Sequence, residues 1–350
     1  MSRAIFYEKR RRLRIRRTII VCVVILLVLA IVFGLIFLLS GDEDKGEKEK
    51  TPSTPSANSS TQPEEDPPTL EPVRDLPTEF IDRHTQSPRV VLYDISAQTI
   101  LYSKNGDAPC APASLTKLMT AIVALENASP DEMLTAGKEL NLLDPASSRA
   151  GISIGHKMTL KQALQGLLLK SGNDAAYMIA AQIGHKMDAS KTGQAAIDLF
   201  CQKMTEKAAD LGCSNTTFLN PDGIDKDGHS TTANDLLKIA LYARKQPLIA
   251  EIVATKQVTV TFASGQTKTW VNSNRLLQSG GYTYAGATGM KTGTTDAAGN
   301  CLISCVTRDV DSDNDGKNDK QRTVMCILLG AKTDALRYEE SIELLNLGFF

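Results

Sequence analysis

The stretch RVVLYDISAQTILYSKNGDAPCAPASLTKLMT, Arg89–Thr120, decides the fold. Its first half holds two apolar runs, RVVLYDI and QTILYSK, separated by SA, which predicts a hairpin entering an antiparallel sheet. Its second half, APASLTKLMT (Ala111–Thr120), opens with a proline and then reads as the start of a helix. Helical spacing puts Ser114 and Lys117 on one face, with the hydroxyl and the amine in hydrogen-bonding reach, as a nucleophile and its base require. A serine followed three residues later by a polar group also opens ordinary helices. The pair therefore takes its meaning from what lies downstream.

Beyond Thr120 the pattern turns helical. TLKQALQGLLLKS and AAYMIAAQIGHKM carry apolar residues at three- and four-residue spacings, and AAIDLFCQKMTEKAADLG ends at Gly212, a helix stop. Strand patterns return with QVTVTF, TKTWVNS, NCLISCVT and RTVMCILLGA, and DALRYEESIELLNLGFF reads as a closing amphipathic helix. Strands at both ends of a helical middle predict an α+β domain with a helical insert over residues 89–350. With 350 residues, 42% of them hydrophobic, the chain has enough apolar material for a substantial core.

The net charge of -1 hides a strong asymmetry. Arg3, Lys9, Arg10, Arg11, Arg12, Arg14, Arg16 and Arg17 all precede TIIVCVVILLVLAIVFGLIFLLS, Thr18–Ser40, a run without a charge. At ~1.5 Å per residue this run spans about 34 Å, enough to cross a bilayer core of about 30 Å. Its length and its LLSGDED exit favour an uncleaved transmembrane anchor over a secretory signal. The arginines before it place residues 1–17 in the cytoplasm and everything after Ser40 outside. The basic cluster thus belongs to topology, and no nucleic-acid partner is expected. Residues 41–88, charged and rich in Pro, Ser and Thr, cannot bury a core and read as a disordered tether.

Seven cysteines fit no simple disulfide framework in an exported chain. Cys22 falls in the membrane run, and Cys301 and Cys305 lie four apart on one predicted strand, about 13 Å when extended, too far to bridge. Buried free thiols are expected, with a Cys201–Cys213 link or one from Cys326 left open. His84, His156, His185 and His229 form no H-E-x-x-H, and no cysteine pair has C-x-x-C spacing, so no zinc site is expected.

Two further stretches change the weight of Ser114. SGN, Ser171–Asn173, follows the apolar helix pattern ending in Lys170, and KTGTT, Lys291–Thr295, stands just before the strand NCLISCVT. In this order, S-x-x-K, S-x-N and K-T-G resemble the signatures of the penicilloyl serine transferases, the β-lactamases and penicillin-binding proteins. Within that group the sequence is most similar to the D-alanyl-D-alanine carboxypeptidases. The resemblance extends to GLLLKSGNDAA, TTFLNPDGIDKDGHSTTANDL, GMKTGTTDAAGNCL and the closing ELLNLGFF, covering residues 89–350.

The resemblance implies an antiparallel sheet flanked by helices and a peptidase that removes the terminal D-alanine from peptidoglycan stem pentapeptides, with β-lactams as covalent inhibitors. Ser114 would attack the carbonyl between the two D-alanines, with Lys117 as base, depressed by desolvation and by the second cation Lys291. Ser171 would relay a proton to the leaving amine, and Asn173 would hold the substrate backbone and the Lys117 head. The oxyanion would rest on the backbone N–H groups of Ser114 and Thr294. Lys291, Thr292 and Thr294 would bind the terminal carboxylate, and Gly293 would let a peptide approach the strand edge. Arg337 matches a family arginine that binds this carboxylate, or else makes an ordinary salt bridge at the start of the last helix. No diffusible cofactor is implied.

Two rival readings exist. A class A β-lactamase would carry a deacylating Glu where TTFLN has Thr216, and S-D-N in place of SGN, so slow inhibition rather than fast penicillin turnover is expected. A non-hydrolytic sensor of penicillin or wall peptides is the rival from another class; against it, every motif residue expected for acylation is present, and penicillin labelling lost in Ser114→Ala separates the two. Finally, DSDNDGKND, Asp311–Asp319, matches part of a calcium loop through Asp311, Asp313, Asp315 and Asp319. Arg322 occupies the twelfth position where a bidentate acid belongs, and the same residues also make an exposed hairpin turn.

Overall fold

The computed structural model describes residues 78–311, 318 and 320–349. The expected segments 1–17 and 18–40, the tether as far as residue 77, and Asp313, Asp315 and Asp319 of the candidate calcium loop lie outside these residues.

Helix α1 (Thr78–His84) leads into the hairpin β1 (Arg89–Asp94) and β2 (Thr99–Lys104), and a 3-10 turn (Ala113–Thr116) opens helix α2 (Lys117–Asn127). Short strands β3 (Met133–Thr135) and β4 (Lys157–Thr159) pair with each other and bracket a loop. The helical insert continues with α3 (Leu160–Leu169), α4 (Asn173–Met187), α5 (Gln194–Asp210), α6 (Ala233–Lys245) and α7 (Pro247–Ala254). A two-stranded ribbon, β5 (Gln257–Thr261) and β6 (Thr267–Val271), precedes the long strands β7 (Ala287–Thr295), β8 (Gly299–Val310) and β9 (Lys320–Ala331), and α8 (Asp334–Leu347) closes the domain.

The main sheet has the order β2-β1-β9-β8-β7, antiparallel throughout. Its central strands are apolar on both faces because both faces are covered. Val91, Tyr93, Ile303, Met325 and Ile327 join the core shared with the helical insert. Their alternating neighbours Val90, Leu92, Leu302, Val324, Cys326 and Leu328 pack on the other side with Tyr338, Leu344 and Leu345 of α8. Among the described residues strand β7 pairs only with β8, leaving its other edge open toward the helices.

One expectation about a boundary needs correction. The domain begins before Arg89, because Ile81 of α1 is 2% exposed in the outer core and the Glu340 carboxylate of α8 accepts from the Ser87 N–H. The buried Ile81, the Tyr102 hydroxyl donating to Asp82 and the bonds to Glu340 hold residues whose composition reads as linker. KTGTT does stand just before the strand NCLISCVT, and it is itself the end of β7. The six described cysteines are free, five of them buried. Among the described residues no group of three or more His, Cys, Asp or Glu side chains gathers as a metal site would need.

Candidate active site

Three elements bring the motif residues together. The first is the entry to α2, where Ser114 lies in the 3-10 turn and Lys117 begins the α-helix. Residues three apart eclipse one another in a 3-10 turn, so the tighter winding puts the lysine over the serine. Lys117 Nζ donates to Ser114 Oγ at 2.8 Å and to the Asp222 carbonyl at 2.6 Å. Ala113, just ahead of the nucleophile, holds a left-handed φ of 48°, and Ser171 one of 60°. Each is a backbone state unfavourable for a residue with a Cβ, kept here by the surrounding packing.

The second element is the turn between α3 and α4. Thr159 caps α3 with a reciprocal Gln162 contact, Lys170 ends it, and Gly172 caps α4, leaving Ser171 at the tip. Asp174 follows at once and is fully buried. Its carboxylate accepts from the backbone N–H groups of Ala150, Gly151 and Ile152, at 2.8, 2.9 and 2.8 Å. The Asn173 N–H donates to the Ser148 carbonyl, and Ser148 Oγ to the Ser171 carbonyl. The loop before β4 is thereby locked to the SGN turn.

The third element is the open edge of β7. Lys291 Nζ donates to Ser171 Oγ at 2.9 Å and to the Thr292 carbonyl at 2.8 Å. Thr292 Oγ1 shares a hydrogen with Ser273 Oγ, while Thr294 is exposed. Gly293 has a reason beyond substrate access. A Cβ there would stand 3.0 Å from both Ala113 Cβ and Ser114 N, so the glycine lets the strand lie against the nucleophile turn. Gly223, at φ 89°, does the same from the loop before α6, since a Cβ would fall 1.8 Å from the Ala113 carbonyl.

Both lysines are buried, at 0% and 1% exposure. Burial pushes Lys117 down to about 8, against the pull of the Asp222 and Asp174 carboxylates. Burial, and then the charges of Lys117 and Arg337, hold Lys291 well below the usual lysine range. The repulsion between the cations thus bears on Lys291, whereas desolvation is what depresses Lys117.

Arg337 reaches the same strand from behind. Its Nη1 donates to Thr294 Oγ1 at 3.0 Å, to the Gly293 carbonyl at 3.2 Å and to the Cys301 carbonyl at 3.4 Å, and its Nη2 pairs with Asp334. The salt bridge of one reading is present, and the same side chain also bonds the strand on which the other reading placed a carboxylate. Asn173 is 2% exposed and its Oδ1 has no partner. The Lys117 head, expected to rest on Asn173, is held instead by the Asp222 carbonyl. The resemblance to the family named no role for Asp222, although it stands within TTFLNPDGIDKDGHSTTANDL. A buried backbone acceptor leaves no mark in side-chain chemistry.

Thr216 is occupied away from this chemistry, hydrogen-bonded to Asp235 and Thr231. His229 is also structural. The Leu219 N–H donates to its Nδ1, so Nε2 carries the hydrogen and donates to Thr116 Oγ1. Burial pushes its pKa down to about 4 and keeps it neutral.

The sequence matches the peptidase S11 family, D-alanyl-D-alanine carboxypeptidase, over residues 78–313. The chain belongs to this family. It is 34% identical over 260 residues to the D-alanyl-D-alanine carboxypeptidase of Streptomyces sp. strain K15, covering 72% of this chain and 83% of that one. It is 29% identical over 268 residues to the Bacillus subtilis carboxypeptidase DacF, covering 75% of this chain and 62% of the relative. The crystal structure of the Streptomyces K15 DD-transpeptidase superposes with a TM-score of 0.66 at 32% identity, over 76% of this chain and 97% of that one. The family boundary at residue 78 coincides with the start of α1, consistent with a domain that begins before β1.

Proposed function

We propose that this chain is a serine D-alanyl-D-alanine carboxypeptidase that trims the terminal D-alanine from peptidoglycan stem peptides, and that the run 18–40 holds it at the outer face of a bacterial membrane. One observation carries the chemical reading: a fully buried lysine, pushed down to about 8, bonded at 2.8 Å to the hydroxyl of Ser114. An amine that is partly neutral near physiological pH can take the serine proton, and few structural lysines are placed to do so.

The steps follow from the geometry. The neutral Lys117 amine accepts the Ser114 proton as Oγ bonds to the penultimate D-alanine carbonyl carbon. The carbonyl oxygen becomes an oxyanion near the N–H groups of Ser114 and Thr294. The C–N bond then breaks, and the leaving nitrogen takes, through Ser171, the proton that Lys117 had accepted, so Lys117 is neutral again; Ser171 is held for this by Lys291. Free D-alanine departs and an ester on Ser114 remains. Water attacks this ester, with Lys117 again accepting a proton, and restores the hydroxyl. The leaving residue's carboxylate finds its counter-charge in Lys291, next to Thr292 and Thr294.

Anchoring is supported by the uncharged apolar run and by the arginines that precede it. The enzymatic test is D-alanine release from diacetyl-L-lysyl-D-alanyl-D-alanine, alongside labelling with a fluorescent penicillin. Wild type is expected to do both and Ser114→Ala neither. Labelling without release would favour a sensor, and rapid nitrocefin turnover would favour a β-lactamase. Labelling of intact cells by a membrane-impermeant β-lactam checks the location, because a cytoplasmic domain would stay unlabelled.

A further inference from the structure

The helical insert and the sheet do not close completely on each other. A cavity of about 320 Å³ lies between the end of α6, helix α7 and strands β7 and β8. It contains none of the residues assigned to the active site, although Met290 in its wall directly precedes Lys291. Much of the wall is apolar, formed by Ala250, Val253 and Ala254 of α7 and by Met290 of β7. Ala254 is exposed, so the cavity opens to solvent on the α7 side.

The rest of the wall is polar and carries one cation. Arg244 is half-buried in the last turn of α6, and its guanidinium lies beside the Cys305 thiol of β8. The helix dipole favours a cation there, but a partial charge leaves most of the guanidinium unmatched. No carboxylate among the described residues forms an ion pair with it. Cys305 does not supply the missing charge, because burial pushes its thiol up and keeps it neutral. Thr288, the third polar group, is a neutral hydroxyl that donates to the Cys305 carbonyl at 3.3 Å. A guanidinium at a cavity wall, partly withdrawn from water and lacking a counter-charge, is a receptor for an anion.

We infer that this cavity is a second binding site, separate from the Ser114 centre, for a short aliphatic monocarboxylate, with the carboxylate on Arg244 and the chain against Val253 and Met290. One cation in an otherwise neutral and largely apolar wall matches one negative charge on an apolar body. A phosphate would bring more charge and more oxygens than one guanidinium and one hydroxyl can meet. Free D-alanine would bring an ammonium that finds no acid in the wall. The volume lies at the low end for ligand-sized cavities, which favours a short chain.

The test follows the Met290 methyl resonance of the full chain in lipid nanodiscs, with methyl-labelled methionine and the signal assigned by its loss in Met290→Leu. Titration with octanoate should shift it, with a midpoint at least about tenfold lower than for butanoate, because the longer chain buries more methylenes. Octylamine and D-alanine should leave it in place. Arg244→Gln should raise the octanoate midpoint at least about tenfold, the scale of a lost charge-assisted pair. Ala250→Phe, which fills the cavity, should abolish the shift. The resonances of Met119 and Met204, both buried elsewhere in the core, report whether each variant is folded. Lys291→Gln, which removes the active-site cation, should keep the wild-type midpoint. A Met290 signal that ignores octanoate, or that answers octylamine equally, would overturn the inference. So would a midpoint unchanged in folded Arg244→Gln and Ala250→Phe, or one raised in Lys291→Gln alone, which would put the carboxylate in the active site. The comparison of octanoate with octylamine needs only wild type, so it decides the matter even if a variant fails to fold.

Discussion

Lys117 and Lys291 are near copies of one arrangement on opposite walls of the site. Each is buried, and each donates to one serine hydroxyl and one backbone carbonyl: Ser114 and Asp222 for the first, Ser171 and Thr292 for the second. The difference lies in their surroundings. Lys117 has two carboxylates, Asp222 and Asp174, within electrostatic reach, whereas Lys291 has two cations, Lys117 and Arg337. A substrate that ends in a carboxylate brings Lys291 the counter-charge it lacks. Binding then favours the charged form of Lys291, while Lys117 stays depressed by its own burial. In the proposed mechanism the pair divides the labour of base and anion receptor through its neighbours rather than through its own chemistry.

The largest effect expected from breaking this comparison is in Lys117→Met. Loss of the base should lower D-alanine release and penicillin acylation by at least about 10⁴-fold, the upper range for general-base catalysis. The same variant should be more stable. A folded value of about 8 against the ordinary 10.5 means that folding with a charged Lys117 costs about 3 kcal/mol near pH 7. The sign follows from proton counting: between pH 8 and 10.5 the unfolded chain binds more protons than the folded one, so wild-type stability rises with pH in that window. The advantage of Lys117→Met in urea unfolding should therefore be largest below pH 8 and shrink toward pH 10.5. In wild type, kcat/KM should rise with pH toward about 8 as Lys117 becomes neutral, and fall at higher pH as Lys291 loses the charge that binds the carboxylate. A variant no more stable than wild type would mean that Lys117 is not held against its charge.

Much of this was legible in the sequence, and the limits of legibility are physical. Ser114, Lys117, Ser171 and Lys291 stand in short patterns whose order carries information, and the structure brings them together. The sheet was legible because strands buried on both faces are continuously apolar, as in NCLISCVT and RTVMCILLGA. Less visible were contacts made by backbone atoms. Nothing in Asp222 as a residue type says that its carbonyl will hold the base, and nothing in Asp174 says that its carboxylate will organise three N–H groups of a loop some twenty residues earlier. Helix α1 was hidden for another reason, since its buried Ile81 and the contact of Asp82 with Tyr102 lie within a stretch of linker-like composition.

Lys291→Met sharpens the comparison from the other side. A residue that supplies charge to the substrate carboxylate and steadies Ser171 should cost less than the base, about 10²–10³-fold in kcat/KM, or about 3–4 kcal/mol. Much of the loss should disappear when the substrate ends in an amide, because wild type then also lacks its ion pair. Measuring acid and amide peptides with both enzymes checks this. If Lys291→Met were as damaging as Lys117→Met and blind to the terminal group, the two lysines would share one role and the comparison would fail.

Arg337→Leu should give the smallest effect. Its guanidinium lies behind β7, bonded to Thr294 Oγ1 and to the Gly293 and Cys301 carbonyls, with Asp334 taking part of its charge. Removing it frees Thr294 and takes away one of the two cations that depress Lys291. The first change should raise KM about tenfold, as expected for loss of a charge-assisted hydrogen bond to a group at the binding edge. The second makes Lys291 easier to protonate, so it partly compensates by keeping the remaining receptor charged to higher pH. The upper pH limit for binding a carboxylate-ended substrate should accordingly move upward in the variant while kcat changes little. A fall in kcat at unchanged KM would mean that Arg337 acts on Ser114 chemistry through the strand, and the division between the two lysine neighbourhoods would have to extend to the arginine behind them.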